Sequence, residues 1–168
     1  SCSASINLTL DQISFQEVSS LCSGVLSTCN GGSYPGVEQY IYSDTVTLPP
    51  CNDWLFEWEL CCRNALITNL VAPDTVYMYV RATLDNTLGC NSSPIFTNLP
   101  VPYVCAIEEK NYNHGAIDLD GDSIVYTLIQ PLGNGGAPIG YTPGYSPTYP
   151  IFTTTGTVSF NNQTGQLD

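Results

Sequence analysis

Apolar and polar residues alternate in short runs along most of this chain. Ile6-Asn7-Leu8-Thr9-Leu10 changes character at every step, and Ile13 to Phe15 and Tyr40 to Leu48 do the same. A period of two marks a strand whose two faces meet different surroundings. The run Trp54-Leu55-Phe56-Glu57-Trp58-Glu59-Leu60 puts Trp54, Phe56, Trp58 and Leu60 on one side, with Glu57 and Glu59 on the other. That pattern predicts a strand whose aromatic side belongs to a core. Val76 to Leu84 and Ile124 to Ile129 read as two further strands. No segment sustains a helical period, while twelve prolines and fourteen glycines punctuate the runs at short intervals. The predicted class is therefore all-β, with two tandem β-sandwiches meeting near Cys90-Asn91-Ser92-Ser93-Pro94-Ile95-Phe96. The first module spans 1–90 and the second 91–168. Within the second, Pro131 to Pro150 is a connection rich in Gly, Pro and Tyr, too long for a plain hairpin loop. Two readings fit it: an ordered loop filled by its own tyrosines, or a binding surface.

Charge narrows the partners. Three Lys and Arg stand against fifteen Asp and Glu, for a net charge of -12. Phosphate recognition needs clustered cations, so nucleic acid is excluded as a partner. No apolar run is long enough to span a bilayer, so no membrane insertion is expected. Eight cysteines, Cys2, Cys22, Cys29, Cys51, Cys61, Cys62, Cys90 and Cys105, include no C-x-x-C pair, and His114 is the only histidine. This spacing points to disulfides in an oxidising compartment rather than to zinc. Cys61 and Cys62, read as part of an extended strand, point to opposite faces and are expected to take different partners. Proximity suggests Cys22 with Cys29 and Cys90 with Cys105, although connectivity does not follow from sequence. With no signal peptide or initiator methionine, the chain reads as an internal piece of an exported protein. Its second module is expected to be truncated at the end, where a further strand pattern has only begun.

The densest chemistry lies in Gly115-Ala116-Ile117-Asp118-Leu119-Asp120-Gly121-Asp122. Three carboxylates at alternate positions converge only if the backbone wraps, and Gly121 permits that. Ca²⁺, which takes six to eight oxygens, is the expected neutraliser of Asp118, Asp120 and Asp122. A helical EF-hand loop is excluded because Ile129 stands where its closing glutamate belongs and a strand pattern follows. The competing reading is an Asx-type turn whose carboxylates cap backbone N–H groups without a metal.

Other candidates reduce to structure. His114 is expected to shape the acidic turn rather than to ligate a metal. Asp53, Glu57 and Glu59 read as solvated charge on an outer face rather than as a glycosidase pair. With one imidazole in the chain, no nucleophile–base arrangement is available, so no enzyme is expected. N-linked sequons occur at Asn7, Asn91 and Asn162.

The order of several short motifs resembles large multi-module cell-surface proteins of Bacteroidota, which often end in a gliding-motility-associated sorting domain and leave by type IX secretion. The matching residues include Cys29-Asn30-Gly31-Gly32, Thr45-Val46-Thr47-Leu48-Pro49-Pro50-Cys51 with Trp54, and Cys61-Cys62-Arg63-Asn64-Ala65-Leu66. They continue through Leu84-Asp85-Asn86-Thr87, Asn91-Ser92-Ser93-Pro94-Ile95-Phe96, Pro100-Val101-Pro102-Tyr103-Val104-Cys105, Tyr112-Asn113-His114-Gly115-Ala116 and Thr164-Gly165-Gln166. The resemblance implies an Ig-like first module, truncated at its start, and a cadherin-like second one. The second lacks the D-R-E acidic motif of true cadherins unless Glu108-Glu109 substitutes. It also implies O-glycan acceptors at Thr45, Thr75 and Ser123, each following Asp and preceding an apolar residue.

These readings together predict a non-enzymatic structural and adhesive module of an extracellular, bacterial-surface protein. It would space and stiffen a stalk or filament, with neighbouring modules or like subunits as partners. Each disulfide would add about 2–4 kcal/mol by limiting the unfolded chain. The alternative is a carbohydrate-binding module that presents the tyrosines of 131–150 to surface glycans.

Overall fold

The computed structural model describes residues 5–99, 111–153, 156 and 158–168. Among these the fold is all-β, built from four two-stranded antiparallel sheets and three single-turn 3-10 helices. Cys2, Cys105 and Glu108-Glu109 lie outside the described residues.

The first sheet pairs β1 (Asp11–Glu17) with β2 (Glu38–Ser43), from Asp11 opposite Ser43 to Glu17 opposite Glu38. A register shift between Gln12 and Ser14 leaves Ile13 without an opposite number. Phe15 packs on Tyr40 at 4.9 Å between ring centres, and Tyr40 stacks near Tyr42 at 6.5 Å. The strand expected to run to Leu48 stops at Ser43, after which Asp44 turns its carboxylate back to accept from the Thr45 N–H at 2.7 Å. Residues 6–10, also expected as a strand, make no ladder. Their alternation is real, but among the described residues no backbone pairs with them.

The second sheet is the most regular. β3 (Trp54–Leu60) pairs with β4 (Met78–Leu84) in unbroken register from Trp54 opposite Leu84 to Leu60 opposite Met78. Opposed residues share a face. Trp54, Phe56, Trp58 and Leu60 therefore join Leu84, Ala82, Val80 and Met78, while Leu55, Glu57 and Glu59 join Thr83, Arg81 and Tyr79. The open end of the hairpin is tied by Asn86. Its side-chain oxygen accepts from Cys51 N–H at 2.6 Å, its amide group donates to the Pro49 carbonyl at 3.1 Å, and its own N–H donates to the Cys51 carbonyl at 3.1 Å. Trp54 Nε1 donates to the same Pro49 carbonyl at 3.0 Å.

The core is small: Leu70, Tyr79 and Ile139 lie in or beside segment 130–142, and Trp54 lies at the open end of the hairpin. The buried apolar side chains among the described residues are Trp54, Leu70, Tyr79 and Ile139. Segment 130–142 is bonded onto residues 63–79, so hydrogen bonds cross the division expected at residue 90. Tyr79 N–H donates to Leu132 O at 3.2 Å, Val71 N–H to Gly140 O at 2.9 Å and Thr142 N–H to Asn69 O at 3.0 Å. Arg63 Nη2 donates to Leu132 O at 2.8 Å. Gly136 lies over the Tyr79 ring so closely that a Cβ there would sit 3.2 Å from ring carbons, and its φ of 78° suits glycine.

Here the expected core is corrected. The stripe of Trp54, Phe56, Trp58 and Leu60 buries only Trp54; Trp58 is 47 % exposed and Leu60 54 %. The reason is local: segment 130–142 finds its hydrogen-bond partners on the Glu57–Tyr79 side, and the apolar side receives no comparable cover.

The remaining sheets are minimal. β5 (Ile95–Phe96) pairs with β7 (Ala116–Ile117), and β6 (Tyr112–Asn113) with β8 (Gln166–Leu167). The strand expected over 124–129 forms no ladder; it is held by one backbone bond from Tyr126 N–H to Asn162 O at 2.8 Å. Tyr126 explains this placement, because its hydroxyl meets Ala116 N–H at 3.2 Å and its ring occupies the space above Gly165. No helix among the described residues is long and apolar enough to cross a membrane.

Candidate functional site

The acidic turn is held by its own side chains. Asn113 Oδ1 accepts from Gly115 N–H at 2.7 Å, and Asn98 donates through its side-chain amide to Asn113 O at 2.7 Å. Gly115 takes a φ of 62° where its neighbours Thr97 and Asn98 leave no room for a Cβ. His114 sits between two rings, edge-on to Phe96 at 5.5 Å and to Tyr112 at 4.8 Å, with Nδ1 3.4 Å from the Tyr112 hydroxyl.

The three carboxylates divide their work. Asp118 Oδ1 accepts from the N–H groups of both Asp120, at 2.9 Å, and Asp122, at 3.2 Å. The Gly121 N–H reaches the Asp118 carbonyl at 3.4 Å, with φ of 84° at that glycine. Asp120 faces another strand entry and accepts from Ser92 N–H at 2.5 Å. This is the geometry of an Asx turn: one side-chain oxygen gathers two backbone donors. Among the described residues, no group of three or more His, Cys, Asp or Glu side chains is arranged to hold a metal ion. The carboxylate oxygens of Asp118 and Asp120 that bond to backbone donors would have to give up those bonds to ligate Ca²⁺.

The structure differs from the expectation for Cys61 and Cys62: it sets their sulfurs side by side rather than on opposite faces. β3 ends at Leu60, so the pair lies beyond the strand, where the opposite-face rule no longer applies. Cys51 is disulfide-bonded. Cys22, Cys29 and Cys90 are free and exposed. Cys29 follows the Ser27 cap of the 3-10 turn Thr28–Asn30, which turns its sulfur onto the open face of Gly36 rather than toward Cys22.

That 3-10 turn is anchored by a group the sequence did not single out. Ser27 is 1 % exposed; its hydroxyl donates to Glu17 and accepts from Cys29 N–H at 3.1 Å. Asn30 donates to the other Glu17 oxygen. The Ser27 hydroxyl, with help from Ser19 and Asn30, holds the Glu17 carboxyl below the usual carboxylate range. Asp85 is likewise lowered, by the Thr87 hydroxyl and then the Thr87 N–H.

Glu57 and Glu59 serve as structural acceptors. Glu57 accepts from the Tyr79 hydroxyl, which pushes the Tyr79 pKa up, and Glu59 accepts from Gly135 N–H at 3.1 Å. The connection 131–150 is ordered by similar bonds. Leu70 bridges to Tyr141, Tyr145 stacks near Tyr149 at 6.4 Å, and both stacked tyrosines are half-buried. Burial also raises the Tyr141 pKa.

All six candidate glycan acceptors, Asn7, Thr45, Thr75, Asn91, Ser123 and Asn162, are exposed. Thr75 Oγ1 already donates to the Ala72 carbonyl at 2.9 Å, whereas Asn162 uses only its backbone carbonyl in the bond with Tyr126.

Residues missed from the sequence are Ser27, Asn86 and Gly136. Asn86 belongs to the Leu84-Asp85-Asn86-Thr87 motif, but the clamp it makes needs Pro49 and Cys51 as distant partners. No family model, no curated protein and no solved structure matches this chain.

Proposed function

We propose that the chain is a non-enzymatic structural and adhesive part of a large secreted surface or filament-forming protein. In this reading its strands belong to two tandem Ig-like and cadherin-like sandwiches, which space and stiffen an extracellular stalk beside neighbouring modules or like subunits. The observation that carries the reading is the use made of the chemically capable side chains. Glu17, Glu57, Glu59, Asp85, Asp118 and Asp120 each accept hydrogen bonds that hold a turn or a strand edge. Acceptors spent on backbone and hydroxyl donors are poor acids, bases or ligands, and they favour a rigid spacer. Calcium binding at the acidic turn is separable from this reading and has its own test below.

One observation favours a carbohydrate-binding role. Phe15, Tyr40 and Tyr42 form an exposed aromatic row on the first sheet, of the kind on which sugar rings stack. A glycan array probed with the purified chain separates the two readings. A spacer gives no saturable binding to any sugar. Saturable binding lost in Tyr42→Ala would replace the structural reading with the carbohydrate one.

A further inference from the structure

The first sheet combines exposed rings with carboxylates on one face. Opposed residues share a face, so Phe15, Tyr40 and Tyr42 lie together with Glu17 and Glu38. The three rings are between 46 % and 52 % exposed, and Glu38 is exposed beside them. Glu38 Oε2 accepts from the Tyr40 hydroxyl at 2.8 Å, which sets its charge at the edge of that ring and raises the Tyr40 pKa. Glu17 and Glu38 stand directly opposite each other, and like charges so placed destabilise a strand pair. Before Arg63 the sequence contains no Lys, Arg or His to offset them.

We propose that this face binds an extended segment of a different protein that carries lysine or arginine at alternate positions. Ring faces attract ammonium and guanidinium groups that come within about 6 Å. Alternate side chains on one face of an extended segment are about 6.6–6.8 Å apart, and the ring centres of Tyr40 and Tyr42 are 6.5 Å apart. One cation therefore reaches Tyr40 and Glu38 while the next lies over Tyr42, and the aliphatic stems cover the rings. Glu17, engaged by Ser27 and Asn30, contributes its field rather than a direct contact.

Charge identifies the partner. A net charge of -12 draws cationic molecules toward the chain and repels a second copy of it. Arg63, Arg81 and Lys110 are too far apart in sequence to occupy alternate positions, so a like chain does not carry the pattern either. The rings and the remaining bonds identify the face. Glu57 is bonded to Tyr79, Glu59 to Gly135, and Asp118 and Asp120 to backbone amides. Among the described residues Glu38 is bonded to Tyr40, the ring that would share its cation.

The inference goes beyond the structural role, and a blank glycan array leaves it standing. Its test is the fluorescence anisotropy of a labelled peptide of alternating lysine and threonine, titrated with the whole chain. The expected result is saturable binding that weakens as salt is raised and is tighter than that of a peptide of the same composition with its lysines contiguous. Tyr42→Ala and Glu38→Gln should each weaken it roughly threefold to thirtyfold. Asp74→Asn, an equal change of charge at an exposed site outside this sheet, should leave it unchanged. No saturable binding at low salt overturns the inference. So does equal binding of the two peptides or an equal loss in Asp74→Asn, because either reduces the effect to diffuse charge. A neutral oligosaccharide that binds the row more tightly than the peptide assigns the face to sugars and also overturns it. Should Tyr42→Ala unfold, Glu38→Gln and the pair of peptides decide.

Discussion

Two parts of this molecule are held together by different means. The β3–β4 hairpin with segment 130–142 contains all four buried apolar side chains found among the described residues, and its two strands pair over seven residues each. The region of β5 to β8 has strands of two residues and none of those four side chains. It is tied instead by Asn98, Asn113, Asp118 and Asp120, whose side chains satisfy turn amides and carbonyls. Apolar burial is lost in one cooperative step when the core opens, whereas side-chain capping is local and open to solvent. The first region should therefore be the more protected from exchange.

The largest expected effect comes from breaking the core. Ile139→Ala should cost about 2–5 kcal/mol, read as a lower denaturant midpoint. Hydrogen exchange should show lost protection in β3 and β4 with little change around β6 and β8. Equal loss in both regions would mean that they open as one unit and that the contrast between them is false.

A smaller effect is expected from the acidic turn. Asp118→Ala removes the acceptor of two backbone donors and should cost about 1–3 kcal/mol, with exchange rising at Asp120 and Asp122 but not in β3. As a hydrogen-bonded cap, the wild-type turn should melt at the same temperature in calcium and in chelator. A rise with calcium that Asp120→Ala abolishes would instead show that the carboxylates are metal ligands.

Acid should act on a third place. Glu17 has a folded pKa below its ordinary value, so its contribution is complete above the unfolded pKa and is lost as pH falls through the folded one. Exchange at Cys29 and Gly32 should accelerate in that acid limb and become insensitive to it in Glu17→Gln. Acceleration that persists in the variant would assign the acid response to another carboxylate.

The least disruptive test is chemical. Alkylation of the native chain should label Cys22, Cys29 and Cys90 and spare Cys51, Cys61 and Cys62. Protection of Cys22 and Cys29 together would restore the loop-closing bond expected from their spacing.

The legible parts of the fold are those whose information is local. The alternation of Trp54–Leu60 has the same ends as β3, and the pattern of Val76–Leu84 starts only two residues before β4, because aromatic and β-branched residues alternate there against a partner of equal length. The same alternation misled at Ile6–Leu10 and Ile124–Ile129: periodicity names two faces but not the strand that will pair. It also gave the Trp54 stripe its apolar side without saying what covers that side. Asp118, Asp120 and Asp122 were legible as a turn. Their spacing suits a calcium loop and an Asx cap equally, and only the positions of the Ser92, Asp120 and Asp122 amides distinguish the cap. The attachment of 130–142 to residues 63–79 depends on backbone groups far apart in sequence, which no local pattern encodes.

The Asn86 clamp also determines how the hairpin would respond to force. Trp54 and Leu84 sit at the same end of the ladder, next to the bonds that join Asn86 to Pro49 and Cys51. Tension entering through residues 50 and 87 would pull those neighbouring ends apart and open the hairpin like a zipper, one pair at a time. The clamp takes the load before any rung does, so a single asparagine sets the force at which this element begins to yield.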